Sequence, residues 1–268
     1  MFRNRYTFIG LAVIAVFVFG ALLAPLLAPY DPQAMDLGEQ LAPPSAEHFF
    51  GQDANGSDIF SRILYGARIS LTVGFVVVFI SGIFGIAAGL VSGYYGGWVD
   101  LVLMRIVDIL LAFPGLLLAI ALVAVLGPDI TNVIIALSVL GWVSFARLVR
   151  GQTLSVKERE YVLAARISGQ TGPRIMFRHI LPNIMSPIIV QATFSVAGVI
   201  ISESSLSFLG LGVPPGTPSW GAMLSEGKQV LIDAPHVSVF PGLAIMLVVL
   251  AFNFLGDGLR DKYDPRGM

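Results

Sequence analysis

Hydrophobic positions along the chain gather into six blocks, at roughly 8–28, 70–92, 101–126, 130–149, 185–211 and 237–256. A helix that crosses a bilayer needs about 20 mostly apolar residues, and each block is long enough. The pattern predicts an all-α, polytopic membrane protein with six transmembrane helices. A secretory leader has an apolar core of only about 7–15 residues, so the first block is expected to be retained as a span. The polar positions gather too. The most patterned of them, "KEREYVLAARISGQTGPRIMFRHILPN", fills Lys157 to Asn183 between the fourth and fifth blocks.

Inside that insert Ser155-Val156-Lys157-Glu158 has the S-x-x-E form of a capping box, which predicts a helix start near Val156. Good helix formers follow, and Gly169 supplies a stop because glycine tolerates the left-handed conformation past a helix end. Thr171-Gly172-Pro173 reads as a second start, and Leu181-Pro182-Asn183 as its end. The expected result is a hairpin of two short helices over about 155–183. Two readings are open: an interfacial element with basic residues on lipid headgroups, or a docking surface for a cytoplasmic partner. Small residues at the centre, Ala164, Ala165 and Gly169, would permit close approach and favour docking.

Charge orients the spans. The chain is 56% hydrophobic and 12% charged, against about 25% charged in soluble domains, and its net charge of −1 gives no bias toward nucleic acid. With the N-terminus inside, the inner face collects thirteen Lys and Arg residues, Arg3, Arg260, Lys262 and Arg266 among them. The outer face keeps Arg62, Arg68 and Lys228. By the positive-inside rule both termini are expected in the cytoplasm, with the hairpin. The chain divides into a first span with its outer loop, 1–69, and the remaining spans, 70–268.

Chemistry is sparse. There are no cysteines, which excludes disulfides, thiolate metal sites and Cys nucleophiles. A phosphate loop needs G-x-x-x-x-G-K-[ST]; "GAMLSEGKQ" has one residue too many and Gln at the end. His48, His179 and His236 are far apart in sequence. No metal site, bound cofactor or catalytic group is expected, so the energy for any transport must come from another subunit. Gly85, Gly89 and Gly93 recur every fourth residue of the second span, a small-xxx-small pattern for close helix packing, either within the chain or against a second subunit. Pro114 should kink the third span, and as such kinks often line cavities it is a candidate pathway or gating residue. Asp108 and Glu203 lie within apolar blocks, where a carboxylate is costly. Asp108 is placed to pair with Arg105 one turn away or to line a pathway. Glu203 is placed to face Ser202, Ser204 and Ser205 in a wet cavity, or to cap the turn "SFLGLG".

Ala164-Ala165, Gly169 and Leu181-Pro182 match the spacing of the "EAA" signature of bacterial ABC-importer permeases. The longer strings "EYVLAARISG…RHILPN", "FGQDANGSDIFSRILYGARISL", "ESSLSFLGLGVPPGTPSWGAML" and "NFLGDGLRDKYDPR" resemble the C-type permeases of dipeptide, oligopeptide and nickel importers. Leu163 stands where the signature has its glutamate. The resemblance implies that the hairpin forms coupling helices seated in a groove of an ATPase subunit. Glu160, Tyr161, Ala164, Ala165, Arg166, Gly169, Arg178, His179, Leu181 and Pro182 would form the contact. It implies a second homologous permease subunit, two cytoplasmic ATPase subunits that hold ATP and Mg, and an extracytoplasmic solute-binding protein. The location would be a bacterial or archaeal plasma membrane, in contact with lipid. The cargo would be di- or oligopeptides, with nickel, a nickel chelate or glutathione as alternatives. A stand-alone ion-coupled transporter would be expected to show inverted repeats and ionisable groups near the midplane, and the chain shows no convincing repeat.

Overall fold

The computed structural model describes residues 5–214 and 216–263; Arg3 and Arg266, counted above among the inner basic residues, lie outside them. The described residues are helical with irregular connections. α1 (Arg5–Leu22) and the short α2 (Ala24–Leu27) precede a long loop. α3 (Ile59–Tyr95), α4 (Gly97–Leu111), α5 (Gly115–Leu126) and α6 (Ile130–Val156) follow. Next come α7 (Glu160–Ile167), α8 (Gly172–Ile175), α9 (Met185–Phe208), α10 (Trp220–Gly227) and α11 (His236–Tyr263). Among the described residues five helical runs are long and apolar enough to cross a membrane, or six if α4 and α5 together form one span.

That bent pair changes the picture of the third span. α4 and α5 meet at 85°. Pro114 lacks the N–H that an unbroken helix would use there, and its extended backbone (ψ 119°) opens α5. The result is a right-angled break, sharper than the kink the sequence predicts.

α3 and α6 lie side by side, and glycines set their separation. A Cβ on Gly89 would stand 2.6 Å from the Ala146 carbonyl and 2.7 Å from Val149 Cβ. One on Gly85 would overlap Phe145, and one on Gly93 would sit 2.7 Å from Thr153 Cβ. This glycine run therefore packs inside the chain. α9 and α11 complete the bundle around a core that includes Leu90, Phe145, Ile188, Ile200, Val248 and Phe252. α1 runs against α11, so that Thr7 packs on Gly258 and the two described chain ends lie together. They lie at the end that carries the α7–α8 hairpin; the loop before α3 and helix α10 occupy the other end.

Two expected boundaries move. Ser155 does not open a helix: α6 continues to Val156, and α7 begins after Arg159, whose extended backbone makes no side-chain cap bond. The stop at Leu181-Pro182-Asn183 is also absent. The chain passes from α8 through a π-helical turn (Met176–Ile180) and a 3₁₀ turn (Leu181–Ile184) into α9. Pro182 is accommodated because it sits in the first turn of the 3₁₀ segment, where its missing N–H is least needed. The second arm of the hairpin is thus the foot of a helical run from Gly172 to Phe208.

Candidate functional site

The hairpin turns at Gly169, whose φ of +76° is the left-handed conformation. Its N–H donates to the Arg166 carbonyl at 3.0 Å and the next N–H, of Gln170, donates to the Ala165 carbonyl at 3.2 Å. This paired pattern is a Schellman cap and requires a residue that tolerates positive φ at its centre. The two arms are tied across the turn by His179 Nε2 and Gln170 Oε1, 2.9 Å apart.

The arms have an inner and an outer face. Val162, Ala165, Ile175, Met176 and Ile180 are buried in the same core that fills the bundle. Ala165, expected on a docking face, therefore packs inward. Glu160, Tyr161, Ala164, Arg166, Gly169, Arg178 and Pro182 are exposed, with His179 and Leu181 half-buried. The outward face also carries two large apolar side chains that the sequence pattern did not single out, Ile167 (87% exposed) and Phe177 (63%). Ile167 is the last residue of α7, and Phe177 lies in the π-helical turn that carries the second arm onward. Ile167, apolar between Arg166 and Ser168 at the turn, left a hint in the sequence; Phe177, beside Met176, left none.

The hairpin is fastened to the spans. Gly172 abuts Tyr94 and Tyr95, so that an added Cβ would come within 2.9 Å of the Tyr95 hydroxyl. The Arg166 guanidinium stacks over the Tyr94 ring at 5.6 Å, and Lys157 Nζ donates to the Gly93 carbonyl at 3.0 Å. Close by, Arg150 of α6 grips Asp100 of α4 with two nitrogens, at 2.5 and 2.6 Å, and Ser92 donates to the same carboxylate. Asp100, rather than Asp108, is thus the acid of α4 that forms an ion pair. Asp108 and Arg105 are both exposed and do not pair among the described residues; Asp108 interacts electrostatically with Arg150 instead.

Glu203 lies toward the opposite end and is 2% exposed. Ser207 Oγ donates to its Oε1 at 2.7 Å, and Ser70 Oγ donates to its Oε2 at 3.0 Å from α3, with Ser204 more distant at 3.5 Å. Ser202 and Ser205, expected around it, bond back to carbonyls of their own helix. Nor does Glu203 cap the turn after α9. There the Leu211 N–H reaches the Leu206 carbonyl and the Gly210 N–H reaches that of Ser207, closing the turn with backbone alone. The carboxylate joins α9 to α3 across 133 residues of sequence.

The same end holds a second buried acid–base cluster. Arg62 pairs with Asp53 and, through Nη1 and Nη2, with Glu226 of α10 at 2.8 and 3.2 Å. Asp53 also accepts from the N–H groups of Asn55 and Ser57. Trp220 Nε1 donates to the Ile63 carbonyl at 3.1 Å, and Asp58 caps α3 by accepting from Ser61 N–H at 2.7 Å while His48 holds its other oxygen at 3.0 Å. The loop before α3 is thus sewn to α3 and α10 as an ordered flap.

A helical bundle with a broken third span and a glycine-turned hairpin standing off one end is the architecture of a transporter's membrane component, and the chain belongs to a family of such components. The family of binding-protein-dependent transport system inner membrane components matches residues 85–267, and the N-terminal TM domain of oligopeptide transport permease C matches residues 1–44. Over 264 residues the chain is 48% identical to the dipeptide transport system permease protein DppC of Alkalihalophilus pseudofirmus, covering 98% of this chain and 87% of that one. It is 50% identical over 267 residues to the glutathione transport system permease protein GsiD of Escherichia coli, covering 99% and 88%. Among solved structures it resembles an inward-facing conformation of the MetNI methionine ABC transporter, with a TM-score of 0.60 and 19% identity over 74% of this chain and 95% of that one. The last likeness concerns the fold.

Proposed function

We propose that this chain is one of two membrane-spanning subunits of an ATP-driven importer that takes short peptides from an extracytoplasmic binding protein. Both chain ends and the hairpin face the cytoplasm in this reading, following the basic residues. The hairpin docks on an ATPase subunit, while ATP and Mg are held by the two ATPase subunits and a second permease completes the pathway. This chain itself performs no catalysis.

The observation that carries the reading is the hairpin's two-sidedness. Its inner face is continuous with the core of the spans, and its outer face leaves Ile167 and Phe177 largely exposed among the described residues. A lipid-surface element would also expose apolar groups, but it would have no need of the rigid fastening through Gly172, Arg166 and Lys157. Closure of an ATPase subunit on such a foot would move α9 as a rigid body, because α8 and α9 form one helical run. Peptide as cargo is supported by the 48% identity to a dipeptide permease. Glutathione is the second reading, favoured by the 50% identity to a glutathione permease. The test is to purify the assembly through a tag on this chain, identify its subunits by mass spectrometry, and measure ATP-dependent uptake of labelled dialanine and glutathione in proteoliposomes with the binding protein. Two ATPase subunits, a second permease and dialanine uptake are expected; a chain that transports alone under an ion gradient would contradict the reading.

A further inference from the structure

At the end away from the hairpin, one face of α3 carries Tyr65, Arg68, Ile69 and Thr72, spaced i, i+3, i+4 and i+7 as one helical stripe must be. They open on a cavity of about 820 Å³, whose other walls include the segment Pro29–Gln33 after α2, Ile130 at the start of α6 and Thr217-Pro218 before α10. That is within the range of about 300–1,000 Å³ typical of small-molecule sites.

The charges in this cavity are unspent. α3 has two arginines. Arg62 is buried and held by two carboxylates. Arg68, six residues further on, is exposed, rests over the Tyr65 ring at 5.8 Å, and pairs with no carboxylate among the described residues. Asp31 lines the same cavity, also exposed; its Oδ1 accepts from the Gln33 N–H at 2.9 Å, and no cation pairs with it among the described residues. Arg68 and Asp31 do not pair with each other. Tyr65, Thr72, Thr217 and the neighbouring prolines line much of the rest. A free guanidinium fits a carboxylate in a two-pronged geometry, and a separate free carboxylate suits an ammonium group.

We infer that this cavity is a receiving site for the zwitterionic ends of a short peptide, with the peptide's carboxylate on Arg68 and its ammonium on Asp31. The inference rests on the peptide reading above and adds the residues that recognise the cargo as it enters the membrane component. A lipid phosphate could also engage Arg68, and the test separates the two. In proteoliposomes holding the complete importer and its binding protein, uptake of dialanine is compared with that of its C-terminal amide, for the wild type, Arg68→Gln and Arg68→Lys. The expected result is a loss of dialanine uptake on the order of tenfold in Arg68→Gln, with a fall of the acid-to-amide preference toward one. In Arg68→Lys a smaller loss with the preference retained is expected, because an ammonium keeps the charge but not the two-pronged fit. Asp31→Asn should likewise erode the preference for dialanine over N-acetyl-dialanine. An Arg68→Gln importer that keeps the wild-type acid-to-amide preference overturns the inference, as does an Arg68→Lys importer that loses the preference as fully as Arg68→Gln; a drop in co-purified anionic lipid alongside either result would assign Arg68 to the lipid. A wild-type importer that carries no short peptide fails the peptide reading itself, and this site with it. Dialanine uptake by the wild type with no selective effect at Arg68 removes only the site.

Discussion

The two ends of this molecule handle polar groups in opposite ways. At the end bearing the loop and α10, Asp53, Arg62 and Glu203 are turned inward, Arg62 meeting Glu226 and Glu203 meeting Ser70 from distant parts of the chain and Asp53 meeting Arg62. Arg68 and Asp31 stay exposed on the cavity wall there. At the hairpin end, Glu160, Arg166, Arg174 and Arg178 are exposed, together with two large apolar residues. Directional bonds there close the hairpin's own turn and fasten it to the spans. Burying a charge holds geometry only if every partner is kept, since a stranded buried charge is strongly destabilising. An exposed face contributes little to the stability of the isolated chain and is free to be shaped for something else. The difference teaches which end is built to be rigid on its own and which is built to be completed by a partner.

Substitutions can break this contrast. The largest effect is expected from Arg62→Ala, which strands Asp53 and Glu226 together and should lower the stability of the purified assembly by about 3–5 kcal/mol, read as a drop in melting temperature or failure to assemble. Next comes Gly89→Leu. Its side chain would enter the contact with Ala146 and Val149, and overpacking of this kind typically costs about 1–3 kcal/mol. Thermal unfolding in detergent checks it, with Gly82→Leu as the control because an added Cβ there meets nothing within 4 Å. Gly169→Val should follow, at roughly 1–2 kcal/mol for a left-handed conformation forced on a branched residue. No atom lies within 4 Å of an added Cβ at Gly169, so its effect is on the turn, and transport should fall much further than melting temperature. Glu203→Gln is the mildest of the four. The amide keeps one acceptor for the serines but loses the charge, for a loss of about 1 kcal/mol; reduced uptake at unchanged stability would instead make Glu203 a cargo contact.

Much of this was legible in the chain. Blocks of apolar residues marked the spans because length and composition suffice for that, and the turn at Gly169 was legible because a single residue type meets the backbone requirement. The boundaries were less so. Leu181-Pro182-Asn183 reads as a stop, yet packing of Ile180 and Ile184 in the core carries the helix through it by way of π and 3₁₀ turns. The capping-box pattern at Ser155 was overridden in the same way, by continuation of α6. The break at Pro114 was foreseen as a kink, but no local pattern gives its angle of 85°. Least legible were the long-range partners. Arg62 meets Glu226 across 164 residues, Ser70 meets Glu203 across 133, and Arg150 chooses Asp100 while Asp108 stays exposed and without an ion pair among the described residues. Local spacing offered Asp108 the nearer arginine, Arg105, and only the packing of α4 on α6 decides otherwise. Ile167 and Phe177 were hidden because an apolar residue in an amphipathic segment is ordinarily assigned to the core.

The central claim is that the outer face of the hairpin is completed by an ATPase subunit, and Ile167→Asp tests it most directly. Because the side chain is 87% exposed, a charge there should leave the melting temperature of the permease pair unchanged, while an aspartate pressed into a partner's groove would be desolvated without a counter-charge. Quantifying ATPase subunits retained on the tagged permease should therefore show their loss in Ile167→Asp, with the second permease still bound. Full retention of the ATPase subunits together with wild-type uptake would contradict the account.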